Sequence, residues 1–295
     1  MNQIKCILFI SLVFAFTAVV APATAAEAER KVEYTYSLNS MASVLMGWYG
    51  SLLPHDGSTF VVTPDIKWDE SRTHYPNKIT GLKITQTDLV KLAVSEYAFN
   101  VQSKITYLQN DVIQAKQLDE TFIFHIGPTG QAILDKKTRN KEQFVTAMSL
   151  PTFDYSYYQK REFAYTWLAY LDGVNTNNSI KGKDWFNTAV YSVKMGTKDI
   201  EGSILSTLAE RNTYLSKGRH TLRSIEVNTV EGRDNTFILD LIINWKGVNA
   251  EGKPVLAKIH QTITYELKEN NTWYVTFIKE EHLLPDIGPW QNLLC

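Results

Sequence analysis

Hydrophobic residues recur with helical spacing in three segments of the chain. The first segment covers 38–53, starts at residues that can cap a helix and stops before Pro54. The second covers 86–99 and the third lies within 150–173. In the third, one helical face is formed by Phe163, Trp167, Tyr170 and Leu171. Each segment therefore predicts an amphipathic helix that turns one side to a core.

Other hydrophobic segments alternate between apolar and polar residues, as half-buried strands do. In the first half of the chain they cover 103–126 and 142–150. In the second half, 235–267 reads as two strands joined by a turn at 249–254, and 271–285 reads as the last strand. Helices followed by antiparallel strands predict an α+β fold in which a curved sheet wraps over the helices.

The two halves share a sequence pattern at an offset of 115 residues. The segment LDETFIFHI at 118–126 matches RDNTFILDL at 233–241 (233 − 118 = 115). At the same offset, the predicted helix 86–99 meets 201–214. The same order of elements in both halves predicts an internal repeat.

We therefore predict two cone-shaped domains, at 30–155 and 156–295, each with helices packed against a curved antiparallel sheet. A leader at 1–26 precedes them. It carries one charge, Lys5, then an apolar run, and ends near the small residues Ala23-Thr24-Ala25. We expect a cleaved signal peptide and a periplasmic or secreted protein. An uncleaved anchor is the alternative.

The net charge and the apolar segments of the chain limit the kinds of partner that the sequence predicts. Without the leader, which contains one of the 30 basic residues, the chain has 29 Lys and Arg against 31 Asp and Glu, a net charge of −2. This near balance does not predict nucleic-acid binding. No later segment is long and apolar enough to predict a stable membrane span.

Cys295 is the one cysteine after the leader, so the core is expected to fold without an internal disulfide. No metal or organic-cofactor motif is present, and no cofactor is expected.

Four short motifs of the second half are shared with a known superfamily. They are FAYTWLAYLDG (163–173), GRHTLRSIEV (218–227), NTFILDLIINWKG (235–247) and GKPVLAKIHQTITYEL (252–267). In these motifs the chain resembles the nuclear transport factor 2-like superfamily, in its SnoaL-like, polyketide-cyclase-like form. The resemblance implies a cone with an internal pocket for a small apolar or amphipathic molecule. Some members isomerise, dehydrate or cyclise their ligand, and others only bind it.

The same resemblance makes Asp172 and His220 the candidate catalytic residues. In enzymes of the superfamily an acidic residue ends the first helix, and a histidine opens the strand after the last helix. An Asp beside an imidazole fixes its tautomer and makes it a usable general base. The structural alternative is that Asp172 caps a turn and His220 bonds to backbone. The first half has Leu53 and Ile105 at the matching positions, so its expected role is packing or binding.

Five further residues are candidates for lining the pocket. They are Trp167, Tyr170, Asp240, Asn244 and His260. The two aromatic residues are also compatible with core packing. Asp240 and Asn244 share one side of their strand with isoleucines, which is typical of polar residues on the concave side of a cone. His260 falls on a strand face that is also compatible with solvent exposure.

Three functions are compatible with the sequence. The first is an exported, non-catalytic protein with a small-molecule pocket in the C-terminal cone, which we rank first because the sequence indicates a pocket-type fold but only one plausible dyad. The second is a cofactor-free lyase or isomerase that uses Asp172 and His220. The third is a structural tandem that acts through protein contacts. The two cones are expected to dock sheet to sheet as a pseudo-dimer within one chain, and association into a homo-oligomer stays open.

Overall fold

The computed structural model describes eight stretches of the chain, namely 38–54, 59–60, 75–76, 78–128, 130–146, 152–174, 189–267 and 272–283. The expected leader at 1–26 and Cys295 lie outside the described residues. Within these stretches, none of the helices has the length and apolar character needed to cross a bilayer.

The first half of the chain forms a helix and a four-stranded antiparallel meander. Helix α1 covers 38–50, and the strands are β1 (Thr59–Phe60), β2 (Ile79–Ala93), β3 (Glu96–Gln109), β4 (Val112–Ile126) and β5 (Ala132–Val145). Strands β2, β3, β4 and β5 lie side by side in this order. The tight turn between β3 and β4 places Asn110 and Asp111 at positive φ, which these two residue types tolerate better than most.

The helix predicted at 86–99 is wrong, because this segment contains the turn between β2 and β3. Leu89 of β2 pairs with Phe99 of β3. On β3, Tyr97, Phe99 and Val101 turn into the core. Apolar residues in a short segment can fit the helical and the strand period equally well, and pairing with a buried neighbouring strand decides between them.

The second half forms a larger sheet. Its strands are β6 (Val190–Met195), β7 (Lys198–Ser203), β8 (Leu215–Val230), β9 (Arg233–Asn249), β10 (Pro254–Leu267) and β11 (Thr272–Leu283). Their order is β7-β6-β11-β10-β9-β8, and β6 and β1 both pair with β11 in parallel. The predicted turn between β9 and β10 is confirmed: the Asn249 side chain accepts the backbone N–H groups of Glu251 and Lys253, and Gly252 has a φ of 76°.

Two helices of the second half begin at residues that cap them. Helix α2 (Tyr155–Leu171) starts after Asp154, whose carboxylate accepts the backbone N–H of Tyr157. Helix α3 (Ile204–Tyr214) starts after Ser203, whose hydroxyl accepts the backbone N–H of Ser206. These bonds satisfy donors that the first turn of a helix otherwise leaves free. The α+β composition predicted from the sequence is confirmed.

Helices α1 and α2 join the two halves. Ser43 Oγ of α1 lies 2.5 Å from Thr166 Oγ1 of α2. Helix α2 also contributes Tyr158 to the core of the first sheet and Phe163 to the core of the second. Helix α2 is buried around most of its circumference and packs on both cores, and the sheet-to-sheet docking of the two halves stays a prediction. The division into domains at 155 and 156 falls at the first turn of α2 and stays a prediction.

The repeat at an offset of 115 residues does not align equivalent strands. It places β4 on β9, but β4 is the third strand of its meander and β9 is the second. The described part of the first half also has no helix equivalent to α3. Alternating strands match one another at many offsets because all have a period of two. The matching motifs therefore identified two sheets but gave the wrong register between them.

Candidate functional site

Asp172 and His220 are in direct contact in the interior. His220 Nδ1 lies 2.7 Å from Asp172 Oδ1, and the same oxygen accepts the His220 backbone N–H at 2.9 Å. Asp172 is the C-cap residue of α2, so the contact ties the end of a helix to strand β8. Both side chains are fully buried.

Asn39 and Arg211 complete the surroundings of this pair. Asn39 Nδ2 donates to Asp172 Oδ2 at 3.0 Å and to the His220 carbonyl at 2.9 Å. Arg211 Nη2 lies 3.2 Å from His220 Nε2. A guanidinium only donates hydrogen bonds, so Nε2 accepts and the ring proton lies on Nδ1, which donates to Asp172. The hydrogen-bond network thus assigns one neutral tautomer to His220 and occupies both of its ring nitrogens.

Arg211 links this pair to a second buried carboxylate, Glu280. Arg211 Nε donates to Glu280 Oε1 at 2.9 Å. Tyr191 and Gln261 donate to Oε2, each at 2.5 Å. Burial alone would raise the pKa of Glu280, but the Arg211 charge and the bond from His282 hold this pKa well below its usual value. Glu280 is therefore an anion at neutral pH, with Arg211 as its buried counter-ion.

A cavity of about 290 Å³ lies at one end of the second sheet. The turn between β6 and β7, the start of β8, the start of β10 and the end of β11 meet there. Its apolar lining consists of Met195, Leu215, Val255, Leu256, Ala257 and Leu283. This volume is near the lower end of the roughly 300–1,000 Å³ range of ligand pockets, so the cavity suits a small molecule.

His282 connects the buried network to this cavity. The residue lines the cavity, and its Nε2 lies 2.6 Å from Glu280 Oε1. Its ring packs beside Trp245, with the ring centroids 6.4 Å apart. Hydrogen bonds thus run from the cavity through His282, Glu280 and Arg211 to His220, which bonds to Asp172.

The two aromatic residues predicted to line a pocket belong to the core instead. Trp167 is fully buried and donates from Nε1 to Gln261 at 2.9 Å. Tyr170 stacks on Trp167, with the ring centroids 5.8 Å apart. Neither side chain lines the cavity. Core packing, the alternative that the sequence left open for both residues, describes their surroundings.

The predicted face for Asp240 and Asn244 is wrong. The odd-numbered residues of β9 from 237 to 245 form the core, so both polar residues lie on the opposite face of the sheet. His260 is on that face as well, with Nε2 at 3.3 Å from Asp240 Oδ1. None of the three lines the cavity. Isoleucines occur on both sides of β9, and the sequence pattern alone did not distinguish the concave face.

The sequence analysis did not identify Arg211, Glu280 or His282. One signal in β11 was available: Glu280 and His282 share a strand face with the buried Ile278, so an inward-facing pair of titratable residues could have been inferred. Arg211 carries no such signal, because a basic residue near the end of a helix is usually exposed.

The first half also buries a charged cluster that the sequence analysis did not find. Glu120 of β4 accepts hydrogen bonds from Tyr49 at 2.9 Å, Tyr75 at 2.6 Å and Lys137 at 2.8 Å. Arg139 lies 3.3 Å from the same carboxylate. Burial and the Glu120 charge raise the pKa values of Tyr49 and Tyr75 well above their usual range. This cluster has two cations around one carboxylate and contains no imidazole among the described residues.

Comparison with known proteins gives a match at the level of structure only. No family model and no curated protein matches the chain. A nuclear transport factor 2-like superfamily protein from Salmonella enterica is 11% identical, with 42% of this chain and 88% of that chain covered, at a TM-score of 0.31. The chain is similar to nuclear transport factor 2-like proteins.

Two further solved structures are similar to this chain. A ketosteroid isomerase-like protein from Erwinia carotovora is 12% identical, with 34% of this chain and 75% of that chain covered, at a TM-score of 0.25. A protein with a cystatin-like fold from Caulobacter vibrioides is 14% identical, with 37% and 77% covered, at a TM-score of 0.29. Each similarity covers less than half of this chain and concerns the fold, not the chemistry of its cavity.

Proposed function

We propose that this protein is exported and binds a small apolar or amphipathic molecule, without catalysis, in the cavity at the end of the second sheet. The observation that supports binding is the cavity itself, whose walls are mostly aliphatic with His282 among them. Small-molecule sites are typically apolar clefts with a few polar groups in fixed positions. The leader pattern supports export, and N-terminal sequencing of the exported protein tests it: a chain that still begins at Met1 contradicts cleavage.

The surroundings of Asp172 and His220 favour a binding protein over a lyase or isomerase. A general base needs a free lone pair within hydrogen-bond reach of its substrate. In His220, Nδ1 faces Asp172 and Nε2 faces Arg211. Neither member of the pair lines the cavity. We assign the pair a structural role: it ties the end of α2 to β8, and Asn39 adds α1 to the same junction.

Ala257 gives a direct test, because its small side chain lines the cavity and a larger one would fill it. Calorimetry with 2-methoxynaphthalene should show a free energy of binding of about −4 to −8 kcal/mol, the range of micromolar to millimolar Kd values. The Ala257→Phe substitution should weaken this binding by about tenfold or more, because the added ring occupies the space of the probe. Ala209→Phe is the matched control, since Ala209 is exposed on α3 away from the cavity.

Two results would contradict the proposal. One is a wild-type protein that binds no naphthalene probe at the highest soluble concentration. The other is equal binding by the Ala257→Phe and Ala209→Phe variants, which would place the probe elsewhere on the protein.

A further inference from the structure

Glu280 fixes the tautomer of His282. A carboxylate anion only accepts hydrogen bonds, so in the neutral form of the ring the 2.6 Å contact between Glu280 Oε1 and His282 Nε2 places the single ring proton on Nε2. The other ring nitrogen, Nδ1, then carries a lone pair. In the part of the chain that the structure describes, Nδ1 has no hydrogen-bond partner. The side chain is nine-tenths buried and lines the cavity, so Nδ1 is the ring nitrogen that is left to meet a ligand there.

The neighbours of His282 hold this acceptor in place. Glu280 is fully buried and is fixed by Arg211 and Gln261. Trp245 packs beside the imidazole, and it is itself confined: a Cβ added at Gly247 would lie 2.3 Å from its Cζ2 atom. An acceptor that is already ordered loses little conformational entropy when a ligand binds, so more of its hydrogen-bond energy contributes to affinity.

We infer that His282 is the specificity-determining residue of this cavity, and that it accepts a hydrogen bond at Nδ1 from the hydroxyl group of a small apolar ligand such as a phenol or an alcohol. The inference rests on the proposed binding function and adds the chemical class of the ligand. In the neutral form of its ring, His282 offers the cavity an acceptor at Nδ1 and no donor. It therefore discriminates against a ligand carboxylate, which also only accepts.

Lys198 is a cation beside the cavity and would favour a second class of ligand, a carboxylate. Its ammonium group lies 5.3 Å from the centroid of the Tyr214 ring, and both residues border the cavity. A carboxylate ligand that paired with Lys198 would not need His282. The ligand series must therefore include an anion with the same ring system as the neutral probes.

Three naphthalene probes separate these classes in calorimetry of the full chain at neutral pH. They are 2-naphthol, which donates a hydrogen bond, 2-methoxynaphthalene, which does not, and 2-naphthoate, which is an anion. We expect 2-naphthol to bind about three- to tenfold more tightly than 2-methoxynaphthalene, the usual effect of one neutral hydrogen bond, and 2-naphthoate to bind most weakly. The His282→Phe variant should lose the preference for 2-naphthol. The His260→Phe control, on the opposite face of the sheet, should keep it.

Three outcomes would overturn the inference while leaving the binding function intact: equal affinity for the two neutral probes, a preference that survives in His282→Phe, or tightest binding of 2-naphthoate. If none of the probes binds, the proposed function fails and this inference fails with it. Should His282→Phe not fold, nitrogen-15 NMR of the wild type decides, with the His282 signals assigned by their loss in His282→Gln. We expect 2-naphthol to shift the Nδ1 resonance more than 2-methoxynaphthalene does, and equal shifts would overturn the inference.

Discussion

Replacing Glu280 by Gln tests the buried ion pair on which the network depends. The change keeps the size of the side chain but removes the charge that neutralises Arg211, whose side chain is only 3% exposed. Removing one partner of a buried ion pair costs about 3–5 kcal/mol, because the remaining charge stays buried without compensation. A chain of this size loses roughly 2–4 °C of Tm per kcal/mol, so we expect the Tm to fall by about 6–20 °C.

The pH dependence of unfolding gives an independent reading of the same substitution. The pKa of Glu280 in the folded protein lies well below the usual value of 4.5. The ion pair therefore contributes its full stability above the unfolded pKa and loses it as the pH falls through the folded pKa. Urea unfolding in acid should show a steeper loss of stability in the wild type than in Glu280→Gln.

Two further variants complete this test. Glu251→Gln breaks an exposed pair with Lys253 and should change the free energy of unfolding by less than about 0.5 kcal/mol. The double variant Arg211→Gln/Glu280→Gln removes both charges and should recover part of the loss caused by Glu280→Gln alone. The reasoning is refuted if Glu280→Gln unfolds at the wild-type Tm with an unchanged acid dependence.

Three other substitutions make separate predictions for urea unfolding. Burial raises the pKa of Glu162 well above 4.5, so the stability that its protonation contributes is fully present below the unfolded pKa and is lost as the pH rises through the folded pKa. Glu162→Gln should therefore stabilise the protein at neutral pH by about 1–3 kcal/mol, and a loss of stability contradicts this. His220→Ala should cost about 2–5 kcal/mol, because it removes the buried ring that donates to Asp172 Oδ1 and accepts from Arg211, and a cost below about 0.5 kcal/mol contradicts the structural role. Gly247→Ala should cost about 1–3 kcal/mol, since the new Cβ overlaps the Trp245 ring, and a neutral effect would show that this ring is free to move.

The contact between Asp172 and His220 was within reach of the sequence, whereas the rest of the network was not. An Asp at the end of a helix and a His at the start of a strand are positions that local patterns and the resemblance both identify. Arg211 and Glu280 are 69 residues apart, and no periodicity relates them. Their pairing depends on how α3 lies across the sheet, which only the folded chain determines. The surroundings, and not the contact, change the interpretation of the pair from catalytic to structural.

Strand patterns predicted the sheets well and their faces less well. The alternation in 235–267 identified β9, β10 and the turn between them. It did not show which side of β9 meets the helices, because isoleucines occupy both sides and the burial of Leu239 and Leu241 is a tertiary property. The segment 86–99 failed for a related reason: its apolar residues fit both periods, and long-range pairing with β4 through β3 favoured the strand.

The most direct measurement of the central claim is the crystal structure of the protein with 6-bromo-2-naphthol, located by the anomalous signal of its bromine. The account predicts one bound molecule in the cavity beside Ala257 and Leu256, with its hydroxyl oxygen about 2.6–3.0 Å from His282 Nδ1. Bromine density only outside this cavity, or a ring in the cavity whose hydroxyl faces away from His282, would contradict it.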